Sequence, residues 1–139
     1  MEQPVKDFWQ DHSVQYLEMA LSAEKRQKLH QADGHGTRTG DCGDTIEIFL
    51  IVKDDTIVEA SFDCEGCLNT VACANTIVHM IEGKPLEEGW QITPETVIEF
   101  LGTLPSHEHH CAELAVGALY LALADARQTR DQAWKKLYR

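Results

Sequence analysis

Two apolar, β-branched runs, TIEIFLIVK and TIVEASFDC, stand on either side of Asp54 and Asp55. Runs of this kind separated by two turn-forming residues predict an antiparallel hairpin. On the second run Val58, Ala60, Phe62 and Cys64 are expected on one face, with Ile57, Glu59, Ser61 and Asp63 on the other. That alternation gives one packed face and one wetter face. So small a sheet needs a second layer over its apolar side, and the flanking sequence supplies helices. CLNTVACANTIVHMIEG reads as a helix stopping near Gly83, and Thr93 before Pro94 starts a short one, PETVIEFLG. The longest, CAELAVGALYLALADAR, is expected from Cys111 to about Arg127. Ahead of the hairpin, Val14, Leu17, Leu21 and Leu29 share a helical face between His12 and His30, with Ser13 as N-cap. QADGHGTRTG then reads as an exposed connector whose Gly34, Gly36 and Gly40 permit turns. The predicted class is α+β, a small antiparallel sheet packed on one face by helices, with an amino-terminal helix and a long carboxy-terminal helix.

A length of 139 residues fits one domain over 1–139, with 1–39 as the amino-terminal helix and connector and 127–139 as a basic helical tail. Trp134, Leu137 and Tyr138 share a helical face in that tail and are expected to dock on the domain. A formal charge of −11 repels phosphate backbones, which argues against nucleic acid and against anionic membranes as partners. No apolar run reaches the ~18 residues of a spanning helix. The polar opening MEQPVKDFWQ lacks a signal-peptide apolar region, so the expected compartment is cytoplasmic. Thiols stay reduced there, and the five cysteines read first as metal ligands or reactive groups.

Three short stretches concentrate the chemistry: Gly40-Asp41-Cys42-Gly43-Asp44, Cys64-Glu65-Gly66-Cys67 and His110-Cys111. Each lies where an element begins or ends. An extended backbone would point Cys42 and Asp44 the same way, and Gly43 would leave room for a bulky inorganic group. Cys67 and Cys111 are expected at helix amino termini, where free N–H groups favour thiolate. Cys64 and Cys67 also make a C-x-x-C between strand and helix, the local context of a thioredoxin-like motif. A hairpin partner and the lack of a following strand argue against that reading. Cys64 is expected to be buried, Cys73 to be core, and His107 and His109 to be solvated.

With these residues in view, the chain resembles the IscU/NifU-type scaffold proteins of iron–sulfur cluster assembly. TGDCGDTIEIFLIV, the strand ending in EGC, the helix after it and HCAELAVGALYLALADA carry the likeness, from about Gly40 to Ala126. The resemblance implies an IscU/SufE-like fold and a non-catalytic scaffold. It implies that Cys42, Cys67 and Cys111 hold the cluster, that Asp44 is the acidic residue tied to cluster lability, and that His110 is an alternative fourth ligand. It further implies a transient 2Fe–2S cluster and zinc at the same site in isolated protein, and the motifs leave open whether a homodimer forms. The implied partners are a cysteine desulfurase, an iron donor and apo iron–sulfur client proteins. Leu104-Pro105-Ser106-His107-Glu108 replaces the family's L-P-P-V-K, which argues against recognition by an Hsp70-type chaperone. The alternative is a zinc-binding, SufU-like sulfur acceptor serving a desulfurase; the SufU insertion between the second and third cysteines is missing.

Overall fold

The protein is represented by a computed structural model that describes residues 12–41 and 43–137, with side chains up to residue 132. Strands β2 (Thr45–Lys53) and β3 (Thr56–Glu65) pair antiparallel, Thr45 opposite Glu65 and Lys53 opposite Thr56. Asp54 and Asp55 have φ of 52° and 62°, the left-handed conformation that a two-residue hairpin turn demands at both positions. A register shift at Ile51/Val52 sets Ile51 opposite Glu59 and Val52 opposite Ile57, so Val58 is an extra residue. This bulge reverses the expected alternation at the strand's start. Ile57 is fully buried, whereas Val58 is 44% exposed. Beyond it Ala60, Phe62 and Cys64 turn inward as the pattern predicts.

The stretch expected as a connector is in part a strand, β1 (Gly34–Thr39), paired antiparallel with β2 to give the sheet order β1-β2-β3. Its glycines serve packing rather than turning. A Cβ on Gly36 would fall inside van der Waals contact of the Ala118 carbonyl oxygen and the Ala122 nitrogen, and one on Gly34 would meet the Ala122 carbonyl oxygen. The backbone of a helix therefore lies directly on this strand. That helix, the long carboxy-terminal one (His109–Leu137), presents the buried Ala118, Ala122 and Ala126 to it. It begins two residues earlier than predicted and continues through the basic tail. The side chains of Trp134 and Leu137, and Tyr138 altogether, lie outside the described residues, and so does their expected docking.

Helix α1 (Val14–Leu21) starts where predicted, its Ser13 Oγ accepting from the Tyr16 N–H at 3.0 Å. It ends well short of His30 because tertiary structure captures its last carbonyls. The Asn75 amide donates to Met19 O at 3.0 Å and to Ser22 O at 3.2 Å. The chain then runs beside the free edge of β3, bridging it in parallel at Arg26 and Phe62, before crossing the outer sheet face. Lys25 O accepts from Phe62 N at 3.0 Å, Gln27 O accepts from Ser61 Oγ at 2.8 Å, and Lys28 pairs with Glu47 at 3.2 Å. Asp33 N donates to Leu50 O at 2.8 Å as β1 begins.

Helix α2 (Leu68–Ile81) follows Cys67 and stops before Gly83, whose φ is 87°. A 3₁₀ turn (Leu86–Gln91) seats Trp90 against Tyr120 at 5.3 Å, with Arg127 over its ring at 5.3 Å. Helix α3 (Pro94–Leu101) opens on a Thr93/Thr96 capping box and ends at Gly102. A second 3₁₀ turn (Ser106–Glu108) feeds α4, the His109–Leu137 helix. Helices α2 and α4 pack on the inner sheet face, and α1 and α3 pack on those helices. The core between the layers joins Ile46, Ile48, Leu50 and Phe62 to Ile77, Leu119 and Leu123.

Candidate metal centre

The β1–β2 connection turns tightly through Gly43 and Asp44, the described residues of the C-G-D triplet. Gly43 N donates to Gly40 O at 3.0 Å, and Gly40 N donates to Asp44 O at 2.8 Å. Gly43 has φ of 94°, so the backbone here is turned and not extended as the sequence reading had it. A Cβ at Gly43 would meet nothing within 4 Å, so the glycine is required by the backbone angle and not by crowding. Cys42 lies outside the described residues.

Because Thr45 pairs with Glu65, Asp44 and Cys67 lie at the same end of the sheet. Thr70, one helical turn beyond Cys67 and fully buried, stands between them. Its hydroxyl donates to Asp44 Oδ2 at 2.8 Å and lies 3.8 Å from Cys67 Sγ and 3.7 Å from Cys111 Sγ. Gly66 makes the approach feasible. A Cβ there would sit 2.7 Å from Thr70 Oγ1 and 3.0 Å from Asp44 Cγ. Cys111 enters from the first turn of α4, with Sγ 3.4 Å from Glu108 Oε2 and 3.7 Å from His110 Nε2. Donor atoms of Asp44, His110 and Cys111 all lie within 4.8 Å of one another.

Four of the five residues singled out from sequence thus gather at one sheet end: Asp44, Cys67, His110 and Cys111. Cys67 and His110 are exposed, Asp44 is half-buried and Cys111 is buried, so the cluster opens to solvent on one side. A cavity of about 370 Å³ adjoins it, lined by Arg38, Asp41, His110 and Glu113 among others. Cys64 and Cys73 are buried as expected, and burial pushes both thiols up.

At Cys111 burial opposes the thiolate preference expected of a helix amino terminus. Burial pushes its thiol up to about 12; the Thr70 hydrogen bond opposes this and the neighbouring Glu108 carboxylate adds to it. A dication bound to sulfur would reverse that balance, since metal coordination stabilises thiolate directly. Tyr16 abuts the same region. Its hydroxyl donates to Asn69 Oδ1, and burial together with Cys67, Cys73, Cys111 and Glu108 raises it to about 12.

Sequence reasoning missed two residues of the cluster. Thr70 follows Cys67 by three positions and Glu108 precedes Cys111 by three, so helical spacing returns each to its cysteine. No motif marks either one.

Residues 22–133 match the family described as NifU-like N terminal domain. The chain belongs to this family. Among curated relatives, "Iron-sulfur cluster assembly scaffold protein IscU 1" of Archaeoglobus fulgidus is 39% identical over 99 residues, 70% of this NifU-like chain and 65% of that protein. The chain thus spans less than two-thirds of that relative's length. "Iron-sulfur cluster assembly scaffold protein IscU" of Escherichia coli K12 is 33% identical over 91 residues, 65% of this chain and 70% of that one. The fold is shared with solved structures of low sequence identity. A NifU-like protein (N-terminal) from Brucella abortus gives a TM-score of 0.69 at 13% identity, covering 91% of this chain and 99% of that one. A putative scaffold protein for the SUF system from Fervidobacterium islandicum gives 0.67 at 19%, covering 82% and 97%.

Proposed function

We propose that this NifU-like chain is a scaffold on which a labile 2Fe–2S cluster is assembled from iron and desulfurase-derived sulfur and then passed to apo-proteins. The observation that carries the reading is the meeting of Asp44, Cys67 and Cys111 around the Thr70 hydroxyl, with His110 beside them. Cys42, Cys67 and Cys111 supply three thiolates, and Asp44 or His110 supplies the fourth position. Stable ferredoxin clusters have four thiolates. A carboxylate or imidazole in one position gives a more exchangeable bond, which suits a carrier that must release its cargo. The half-open setting gives a cysteine desulfurase, an iron donor and client proteins access to the same donors. We assign the chain no catalytic residue and treat 1–139 as one working domain, in the reducing cytoplasm, where its four described cysteines stay free thiols. No helix among the described residues is long and apolar enough to cross a membrane.

Anaerobic reconstitution with ferrous iron and sulfide tests the reading. A visible-band chromophore that transfers to an apo-ferredoxin within minutes is the expected result. Tight zinc retention with no chromophore would instead favour the SufU-like sulfur acceptor. The Asp44→Ala protein should hold its cluster several-fold longer than the parent, read as the decay of visible absorbance in the presence of a chelator. A faster decay would remove Asp44 from its assigned role.

A further inference from the structure

We propose that Glu108 is a metal ligand of this chain, so that Glu108 Oε2, His110 Nε2 and Cys111 Sγ form a three-donor face for a divalent cation. The face shares His110 and Cys111 with the Asp44 set, and the inference rests on the scaffold reading above. Its geometry is that of a coordination polyhedron. Sulfur to carboxylate is 3.4 Å, sulfur to imidazole 3.7 Å and imidazole to carboxylate 3.8 Å. Metal–sulfur bonds of about 2.3 Å and metal–nitrogen or –oxygen bonds of about 2.0–2.1 Å at a tetrahedral angle put adjacent donors roughly 3.3–3.6 Å apart. Closing the triangle onto an ion therefore needs movements of only a few tenths of an ångström.

Charge points the same way. Among the described residues Glu108 has only His107 and His110 as ion-pair partners, and Asp44 has none, so neither carboxylate is neutralised by Lys or Arg. One thiolate and one carboxylate balance a dication, and the imidazole completes the face without adding charge. Thiolate with imidazole and carboxylate suits zinc or ferrous iron and is a poor match for magnesium or calcium. Binding exchanges the Cys111 S–H bond for a sulfur–metal bond, the proton leaving to solvent, and no electron moves.

The two carboxylates approach the shared pair from different elements. Asp44 comes from the β1–β2 turn and is tied to Thr70, whereas Glu108 comes from the 3₁₀ turn with its side chain 22% exposed. An ion taken up by Glu108, His110 and Cys111 leaves Asp44 and Cys67 unengaged beside Thr70. Exchange of one carboxylate for the other therefore moves the ion between the Glu108 face and the Asp44–Cys67 side of Thr70.

Zinc affinity of the full chain, measured by competition with a chromophoric chelator, tests this in four variants. Glu108→Gln alone should weaken binding only a few-fold, because Asp44 remains. Glu108→Gln in an Asp44→Ala background should weaken it at least tenfold beyond Asp44→Ala alone. Cobalt(II) loaded into the Asp44→Ala protein should change its ligand-field bands when Glu108→Gln is added, which an indirect structural role would not produce. Equal zinc affinity within twofold, or unchanged cobalt bands, overturns the assignment of Glu108. Cys111→Ser separates this from the parent reading. It should abolish zinc binding, and full affinity in that variant would sink the donor set itself together with Glu108.

Discussion

The seam between β1 and α4 and the donor cluster at the end of the sheet are only a few helical turns apart, yet they are built by opposite means. At the seam, side chains are removed. Gly34 and Gly36 face Ala118, Ala122 and Ala126, so backbone rests on backbone there, and between the two glycines His35 N donates to Asp125 Oδ2 of the helix at 2.9 Å. At the cluster, polar groups are crowded together and left under-satisfied. One hydroxyl serves Asp44 while lying beside two sulfurs, and among the described residues Glu108 pairs with one thiol and two imidazoles. The contrast teaches a division of labour. The seam is fixed by shape, since its glycines leave no room for a side chain, whereas the cluster is defined by its donor atoms and holds them close at Gly66.

The largest effect should come from breaking the seam. Gly36→Val places atoms inside the α4 backbone, and rigid helix backbone cannot yield as a side chain can. A loss of about 3 kcal/mol or more is expected, seen in urea denaturation as a low midpoint or no cooperative transition. A near-wild-type midpoint would mean that α4 does not lie on β1 this closely. Cys111→Ala should do the reverse: a stability loss of about 1–2 kcal/mol for a small buried side chain, with zinc and cluster retention gone.

Thr70→Val sharpens the comparison from within the cluster. It keeps the buried shape and removes only the donor to Asp44, so stability should fall by about 1 kcal/mol. Cluster lifetime should shift toward that of Asp44→Ala, and Thr70→Ser should restore the parent value. An unchanged lifetime would make the Thr70 bond incidental.

How much of this was legible in the sequence follows the same division. The hairpin could be read because period-two alternation and Asp54-Asp55 agree, and α3 because Thr93-Pro94 is a local capping signal. Strand β1 could not, because glycines that look like turn residues are there for a helix more than eighty positions away in the chain. The end of α1 was equally hidden, set by Asn75 from another element. The bulge at Val58 flipped Ile57 inward for a reason that no local pattern carries. At the site the motif residues were visible as chemistry, whereas Thr70 and Glu108 became visible only when three elements met.

The smallest effect lies at the sheet's margin. Glu82 accepts from Lys25 and from Ala60 N; burial alone would raise its carboxyl, but these partners hold it below the ordinary value of 4.5. A carboxyl lowered in the folded state contributes stability above about pH 4.5 and loses it as pH falls through the folded value. Acid unfolding should therefore be shallower in Glu82→Gln than in the parent between about pH 5 and 3, with metal binding at neutral pH unaltered. A variant with the parent's full acid dependence would exclude this pair as its source.

Gly36 also sets a tolerance. Along α4, Ala118 is seven residues from Cys111, about 10 Å at the helical rise. The gap between strand and helix at that point therefore fixes how far the helix's first turn stands from the Asp44 turn. A hydrogen atom for a side chain works there as a spacer shim, and widening it by one methyl would shift His110 and Cys111 against Asp44 without touching any of them.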